Sequence, residues 1–320
     1  MASGQGATRI KRWTLWWWAY RRSVNWVLDA DIKAFFDTVD HAWMMRFLEH
    51  RIGDTRVLRL IRKWLTAGVV ENGNRTDVWV GTPQGAVISP LLANIYLHYV
   101  FDLWAHRWRG RHAGGDVMIV RYADDSVLGF ESKSNVDRFI EDMKLRFVQF
   151  GLTLNEDKTR VLQFGRFAAQ ARAKQGLAKP PTFDFLGLTH ICGKSRSNGW
   201  FQLKRLTSAK QMRARLKAIR EALMRRMHEP VLVVGRWLRR VVQGYFNYHA
   251  VPGNVDRLDA FRKDGVSGVA ACAPTARAAW TNVLGPVRAS DRALPPAGSG
   301  APSVPASTLC VMTQGRSRMR

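Results

Sequence analysis

One stretch constrains this chain more than any other. Val117–Tyr122 and Val127–Phe130 are two apolar, strand-forming runs joined by a short acidic segment that contains Asp124 and Asp125. Runs of this kind around a short polar turn read as an antiparallel hairpin. Both runs are apolar enough to lie in a core, so the tip presents two adjacent carboxylates at the end of a buried sheet. A lone Asp-Asp pair is ordinarily a solvated turn, because Asp suits turns for backbone reasons. Carboxylates carried by rigid, buried strands are costly unless a cation joins them. Hard divalent cations such as Mg²⁺ take oxygen ligands, which makes this tip a metal platform.

A second acidic strand end lies upstream. Val24–Asp31 alternates Val24, Trp26 and Leu28 and ends in Asp29-Ala30-Asp31, followed by Phe35 and Phe36. If this strand neighbours the hairpin, Asp31 joins Asp124 and Asp125. Three carboxylates bring a charge of about −3 against about +4 from two Mg²⁺, which leaves room for a triphosphate and suits in-line phosphoryl transfer. Helices fill the intervals. Asp40 and Asp54 are helix caps, Pro90 opens a long helix to about Trp108, and Ser134 starts a helix through Val136, Phe139, Ile140, Met143 and Phe147 that Gly151 closes. There is no regular βα repeat and no glycine-rich phosphate loop. The expected class is therefore α+β, with a mainly antiparallel sheet.

Charge decides the class of partner. The chain has 50 Lys+Arg and 25 Asp+Glu among 320 residues, a net +25, with a pI near 11.0. A polyphosphate is the usual partner of such a surplus, because each phosphate contact releases counterions. The surplus concentrates in residues 201–250, where twelve Lys+Arg face two Glu. Met212, Leu216, Ile219 and Leu223 make one apolar helical seam, and Trp237, Leu238 and Val241 lie on a second helix. Lys204, Arg205, Lys210, Arg213, Lys217, Arg220, Arg239 and Arg240 are the candidate contacts to RNA backbone. Residues 191–252 are read as strongly basic and helical. No apolar run approaches membrane-spanning length. Cys192, Cys272 and Cys310 have neither zinc nor disulfide spacing, which suits a reducing interior, and the expected location is cytoplasmic. From residue 251 onward there are only two aromatics but seven of the twelve prolines. Such a composition buries too little apolar surface to offset ordering, so residues 263–320 are expected to be a disordered tail.

The third motif is Gly81-Thr82-Pro83-Gln84-Gly85-Ala86-Val87-Ile88-Ser89-Pro90. By itself it is an ordinary loop before a Pro-started helix. With the two acidic strand ends, in this order and spacing, it resembles the reverse transcriptases encoded by group II introns, which double as maturases. Gly151-Leu152-Thr153-Leu154-Asn155-Glu156-Asp157-Lys158-Thr159 is similar to that family's next palm motif. Phe183-Asp184-Phe185-Leu186-Gly187 resembles its primer-gripping segment, and Gly244-Tyr245-Phe246-Asn247-Tyr248-His249 its maturase domain.

The resemblance implies a reverse-transcriptase palm over 24–190, a basic helical thumb and maturase region over 191–262, and 1–23 as a remnant of fingers or an aberrant start. Asp31, Asp124 and Asp125 would ligate two Mg²⁺, with the carbonyl of Ile32 as a further ligand. Phe36 would lie under the sugar and favour deoxynucleotides, Gln84 and Gly85 would contact the nascent pair, and Lys158 would be a general acid for pyrophosphate. The implied partners are group II intron RNA, an RNA template with a DNA primer, and deoxynucleoside triphosphates. Oligomeric state is not readable. Nothing resembles the family's optional HNH endonuclease.

The sequence also departs from the family. Only about twenty residues precede the resemblance, so the fingers are expected to be missing. Trp16-Trp17-Trp18 and residues 264–310 have the texture of frameshifted segments. An RNA-binding splicing cofactor without polymerase activity, or a decayed protein, therefore stands beside the polymerase reading. A viral RNA polymerase is disfavoured by the bulky Phe36 and the thumb-region resemblance.

Overall fold

The computed structural model describes residues 24–66, 69–71, 74–76, 81, 88–195 and 198–270. The chain divides near residue 178 into two compact units. Within the first, β1 (Trp26–Ala30), β4 (Val117–Tyr122), β5 (Asp125–Phe130) and β6 (Arg160–Gln163) form one sheet in the order β4-β5-β1-β6. Every pairing is antiparallel, as expected of the α+β reading. A separate hairpin, β2 (Val69–Glu71) with β3 (Asn74–Thr76), stands outside it.

Alternation selects the core face of the sheet. Leu28, Ala30, Val117, Ile119, Leu128 and Phe130 all enter one apolar cluster. Leu28 lies opposite Leu128, and Leu128 opposite Ile119, so three adjacent strands stack aliphatic side chains on that face. Helix α6 (Lys133–Val148) covers it with Val136, Phe139, Met143 and Phe147, at helical spacing. Ser132 supplies its cap, accepting from Asn135 N, two residues before the start expected from sequence. Phe139 packs edge-on to Trp108, with ring centroids 4.8 Å apart. Two shorter helices follow the acidic caps as expected. Asp40 Oδ1 accepts from Trp43 N at the start of α2 (His41–Glu49), and Asp54 Oδ1 accepts from Arg56 N at the start of α3 (Thr55–Leu65). Each cap contributes about 1 kcal/mol.

The long helix expected from Pro90 to Trp108 is not uniform. It consists of α4 (Ser89–Leu97), a π-helical segment at His98–Asp102 and α5 (Leu103–His112). Apolar periodicity cannot register a widened turn, because the added residue merely shifts which side chains face inward. Here the widened turn ends at the buried Asp102. The short α1 (Phe35–Thr38) and α7 (Ala168–Lys174) complete the first unit's helices among the described residues.

The second unit corrects the sequence reading in three places. Residues 191–252 are not helical throughout: β7 (Phe183–Phe185), β8 (Leu188–Lys194) and β9 (Phe201–Thr207) form an antiparallel sheet before the helices begin. That sheet also groups residues 183–190 with the second unit, because β7 is hydrogen-bonded to β8. Helices α8 (Ala209–Arg225) and α9 (Val231–His249) then appear where expected. The third correction is at the tail. A helix, α10 (Val255–Ala270), continues into residues expected to lack structure. Its Phe261 is fully buried and stacks on Tyr245 at 3.8 Å, within a core that includes Met212, Ile219, Leu223 and Leu238. Asn254 secures the turn before it. Its side chain accepts from Thr207 N and donates to Thr207 Oγ1 and to the carbonyl of His249. Composition averaged over seventy residues conceals one amphipathic helix with a single aromatic anchor. No helix among the described residues is long and apolar enough to cross a membrane.

Candidate active site

The site lies at one end of the four-stranded sheet. Ala30 pairs with Ser126, whose hydroxyl donates to the Ala30 carbonyl at 3.2 Å, so Asp31 leaves β1 beside the start of β5 at Asp125. Tyr122 pairs with Asp125, which puts Ala123 and Asp124 in a two-residue hairpin turn. The three acids expected from sequence therefore share one end of one sheet, on neighbouring strands. They crowd one another electrostatically. The Asp125 carboxyl is raised above the usual range, first by lost hydration over the strand end and then by Asp124, Asp31 and Asp29, with Lys158 opposing. Asp125 is nevertheless exposed at the surface, which leaves like-charge crowding as the weightier cause.

Asp31 is held from the motif that follows α6. Its backbone N–H points to Thr159 Oγ1 at 3.4 Å, and its carbonyl accepts from Asn155 N at 2.9 Å. Asn155 Nδ2 donates to Asp31 Oδ2 at 3.1 Å, and Lys158 Nζ stands 3.4 Å from the same oxygen. Ile32 forms a bridge with Leu154 that uses the Asp31 carbonyl and the Lys33 N–H, so it does not engage the Ile32 carbonyl. Asp29, two residues back along β1, pairs with Arg160 at 2.8 Å.

Oxygen donors in like-charge excess are the chemistry a hard divalent ion needs, and Lys158 supplies a cation against them. The acids fit such an ion by type and by placement at one strand end. Among the described residues, no three acidic, His or Cys side chains already close around one point.

Phe36 lies on α1 and is half-buried, edge-on to Phe35 at 5.4 Å. The turn before it places Ala34 at φ 44°. Gly81, the first residue of the third motif, lies flush against this segment at φ +92°. A Cβ there would come within 2.7 Å of the Phe36 carbonyl, so only glycine fits. Gly81 N donates to Val39 O at 2.8 Å, and His41 Nε2 is 2.5 Å from the Gly81 carbonyl. Gln84 and Gly85 lie outside the described residues, as do residues 1–23 with Trp16-Trp17-Trp18, and residues 271–320.

In the second unit, Lys210, Arg213, Lys217, Arg220, Arg239 and Arg240 are all exposed on α8 and α9. Lys204 and Arg205 are not on a helix. They lie on β9 and are half-buried, with Arg205 across from His190. Burial lowers the Arg205 guanidinium to about 10. Burial and Arg205 together push His190 down to about 3, which keeps it neutral against Phe183, on which it stacks.

Sequence reasoning passes over a deeply buried charge of the first unit. Arg121, within the quoted hairpin, is 2% exposed and bonded to Asp102, Asn94 and the Ala123 carbonyl. The signal is there: an arginine inside an otherwise apolar strand needs a buried partner.

Comparison with known proteins gives this geometry its class. The reverse transcriptase (RNA-dependent DNA polymerase) family matches residues 12–190, more than half of the chain. The chain belongs to that family. It is similar to protein YkfC of Escherichia coli K12, 34% identical in an alignment of 165 positions that covers 43% of each protein. It is also similar to the group II intron-encoded protein LtrA of Lactococcus lactis subsp. cremoris, 45% identical over 74 residues, 23% of this chain and 12% of LtrA. The chain thus spans less than half the length of these relatives. Among solved structures, the telomerase of Candida albicans in complex with a fragment of telomeric RNA aligns with a TM-score of 0.43 and 14% identity. That alignment covers 88% of this chain and 49% of the telomerase.

Proposed function

We propose that this chain is the RNA-directed DNA polymerase of a group II intron, extending a DNA primer on an RNA template and assisting splicing and mobility of its intron. One observation carries the reading: Asp31, Asp124 and Asp125 stand at the same end of neighbouring strands, where Asp124 and Asp31 help to raise the proton affinity of Asp125. Two Mg²⁺ held by these carboxylates and the Ile32 carbonyl would supply Lewis-acid stabilisation of the charge that develops on the reacting oxygens.

The remaining work falls to the chain's own residues. Asn155 and Thr159 fix Asp31 from its far side, so its carboxylate keeps one orientation. Phe36, seated against Phe35 and backed by the Gly81 backbone, presents a flat ring where a 2′-hydroxyl would clash, which selects deoxynucleotides. Gln84 and Gly85 contact the nascent pair. Lys158 Nζ, beside Asp31, gives its proton to the departing pyrophosphate. The exposed cations of α8 and α9 hold the phosphates of the intron RNA.

The test is primer extension on an RNA template with Mg²⁺ and deoxynucleotides, using Asp124→Ala as control. Extension that persists in that variant would refute the site. Salt-dependent RNA binding with no extension by the native chain would leave only an RNA-binding splicing cofactor.

A further inference from the structure

We propose that Arg121 is a positioning residue that fixes the acidic hairpin turn and couples it to the helix that follows the Gly81–Pro90 motif. Its effect on chemistry rests on the polymerase reading above; its effect on the turn does not.

The geometry begins with strain. Ala123 is the first of two turn residues and takes φ 55°. In a two-residue hairpin that position normally belongs to glycine, and a side chain there is strained unless its surroundings hold it. The holding group is Arg121 Nη1, which donates to the Ala123 carbonyl at 2.7 Å. That carbonyl belongs to the peptide plane leading into Asp124. Fixing it fixes the direction in which Asp124 leaves the turn.

Arg121 can do this because its other donors are anchored. Nε and Nη2 donate to the two oxygens of Asp102 at 2.8 and 2.6 Å, a forked pair in which both side chains are 2% exposed. Asp102 closes the π-helical segment, so the widened turn and the buried acid occur together. Nη1 also donates to Asn94 Oδ1 at 3.0 Å, while Asn94 Nδ2 donates to the Pro90 carbonyl at 2.9 Å. One guanidinium thus joins the acidic turn, the π segment and the first turn of α4. Four hydrogen bonds in fixed directions need the five planar donors of a guanidinium; an ammonium has three donors and no fork.

A merely stabilising role is separable from a positioning one. Replacing a buried ion pair by apolar residues of similar volume is often neutral for stability, whereas removing one partner is not. The variants are therefore Arg121→Met with Asp102→Leu together, and Arg121→Lys, which keeps a charge for Asp102 but gives up the fork. Both are made in the full chain and studied by hydrogen exchange of the hairpin, by thermal unfolding and by steady-state primer extension. Positioning predicts that amides of Asp124 and Asp125 exchange about tenfold faster or more, while the centres of β1 and β5 keep their protection. It also predicts that kcat falls about 10- to 100-fold with KM little changed. A folded double variant with native turn protection and native kcat overturns the proposal. So does protection lost uniformly across the sheet in both variants, which marks a structural role alone. If the native chain extends no primer, the polymerase reading fails by itself, and turn exchange still decides whether Arg121 positions the hairpin.

Discussion

In the first unit Arg121 is 2% exposed and makes four hydrogen bonds of 2.6 to 3.0 Å, whereas in the second Lys210, Arg213 and Arg220 are exposed on a helix surface. Lys217, on the same helix, has only a long ion pair with Glu221, at 3.9 Å. The first unit uses charge as geometry. The role proposed for its acids requires each to be held in place, and they sit at the end of a buried sheet. On the proposed function the second unit uses charge as a field, because phosphate binding tolerates flexible lysines and arginines on a helix surface. Packing differs less. Both units rest on aromatic anchors, Phe139 under the sheet and Phe261 between helices.

Four measurements would break or sharpen this contrast. The largest effect is expected from Asp124→Ala, which should reduce primer extension by about a thousandfold or more while RNA affinity stays near native. Equal loss of both would merge the two roles. Next come the anchors. Phe139→Ala and Phe261→Ala should each cost about 3–5 kcal/mol in denaturant unfolding. Limited proteolysis should show the Phe261 variant opening α10 while the sheet unit stays protected.

A smaller effect is expected from changing Lys210, Arg213, Lys217 and Arg220 together to Gln. RNA affinity should fall, and the slope of its logarithm against the logarithm of salt should flatten by about 0.7 for each single-strand phosphate that α8 no longer neutralises. The rate of extension at saturating template should hardly change. The smallest effect concerns Asp125. Its folded-state pKa is raised, so the folded chain binds more protons than the unfolded one across the interval between the two values, and stability falls as pH rises through it. Asp125→Asn should therefore raise Tm slightly at neutral pH, with the gain vanishing below the carboxylate range. A lowered Tm at neutral pH would show that the carboxylate is stabilising, and that Asp124, Asp31 and Asp29 repel it less than their positions imply.

Much of the fold is legible without coordinates. Alternation marks β1, β4 and β5, and helical spacing marks α6 and α8, because each buries one face and a period records which. The caps at Asp40 and Asp54 are legible because a carboxylate satisfies N–H groups two or three residues away. Averages and registers fail. A basic composition over residues 191–252 reads as helix and hides β8 and β9, where Lys204 and Arg205 fall on a strand instead. A proline-rich tail hides α10, whose core contribution depends on Phe261 meeting Tyr245 from another helix. The π-helical segment escapes because nothing local distinguishes a widened turn from a regular one.

By itself the sequence determined which residues are candidates for the chemistry: two acidic strand ends, a glycine-bounded loop and a surplus of cations, each a local pattern with a local cause. Only the tertiary structure decided what steadies them. The partnership of Arg121 with Asp102, Asn94 and the Ala123 carbonyl joins residues up to 27 positions apart, and that of Asp31 with Asn155 joins residues 124 apart. Such pairings leave no period or spacing in a chain. They arise when packing removes water, and a buried charge must then find its counterpart wherever the fold has brought one.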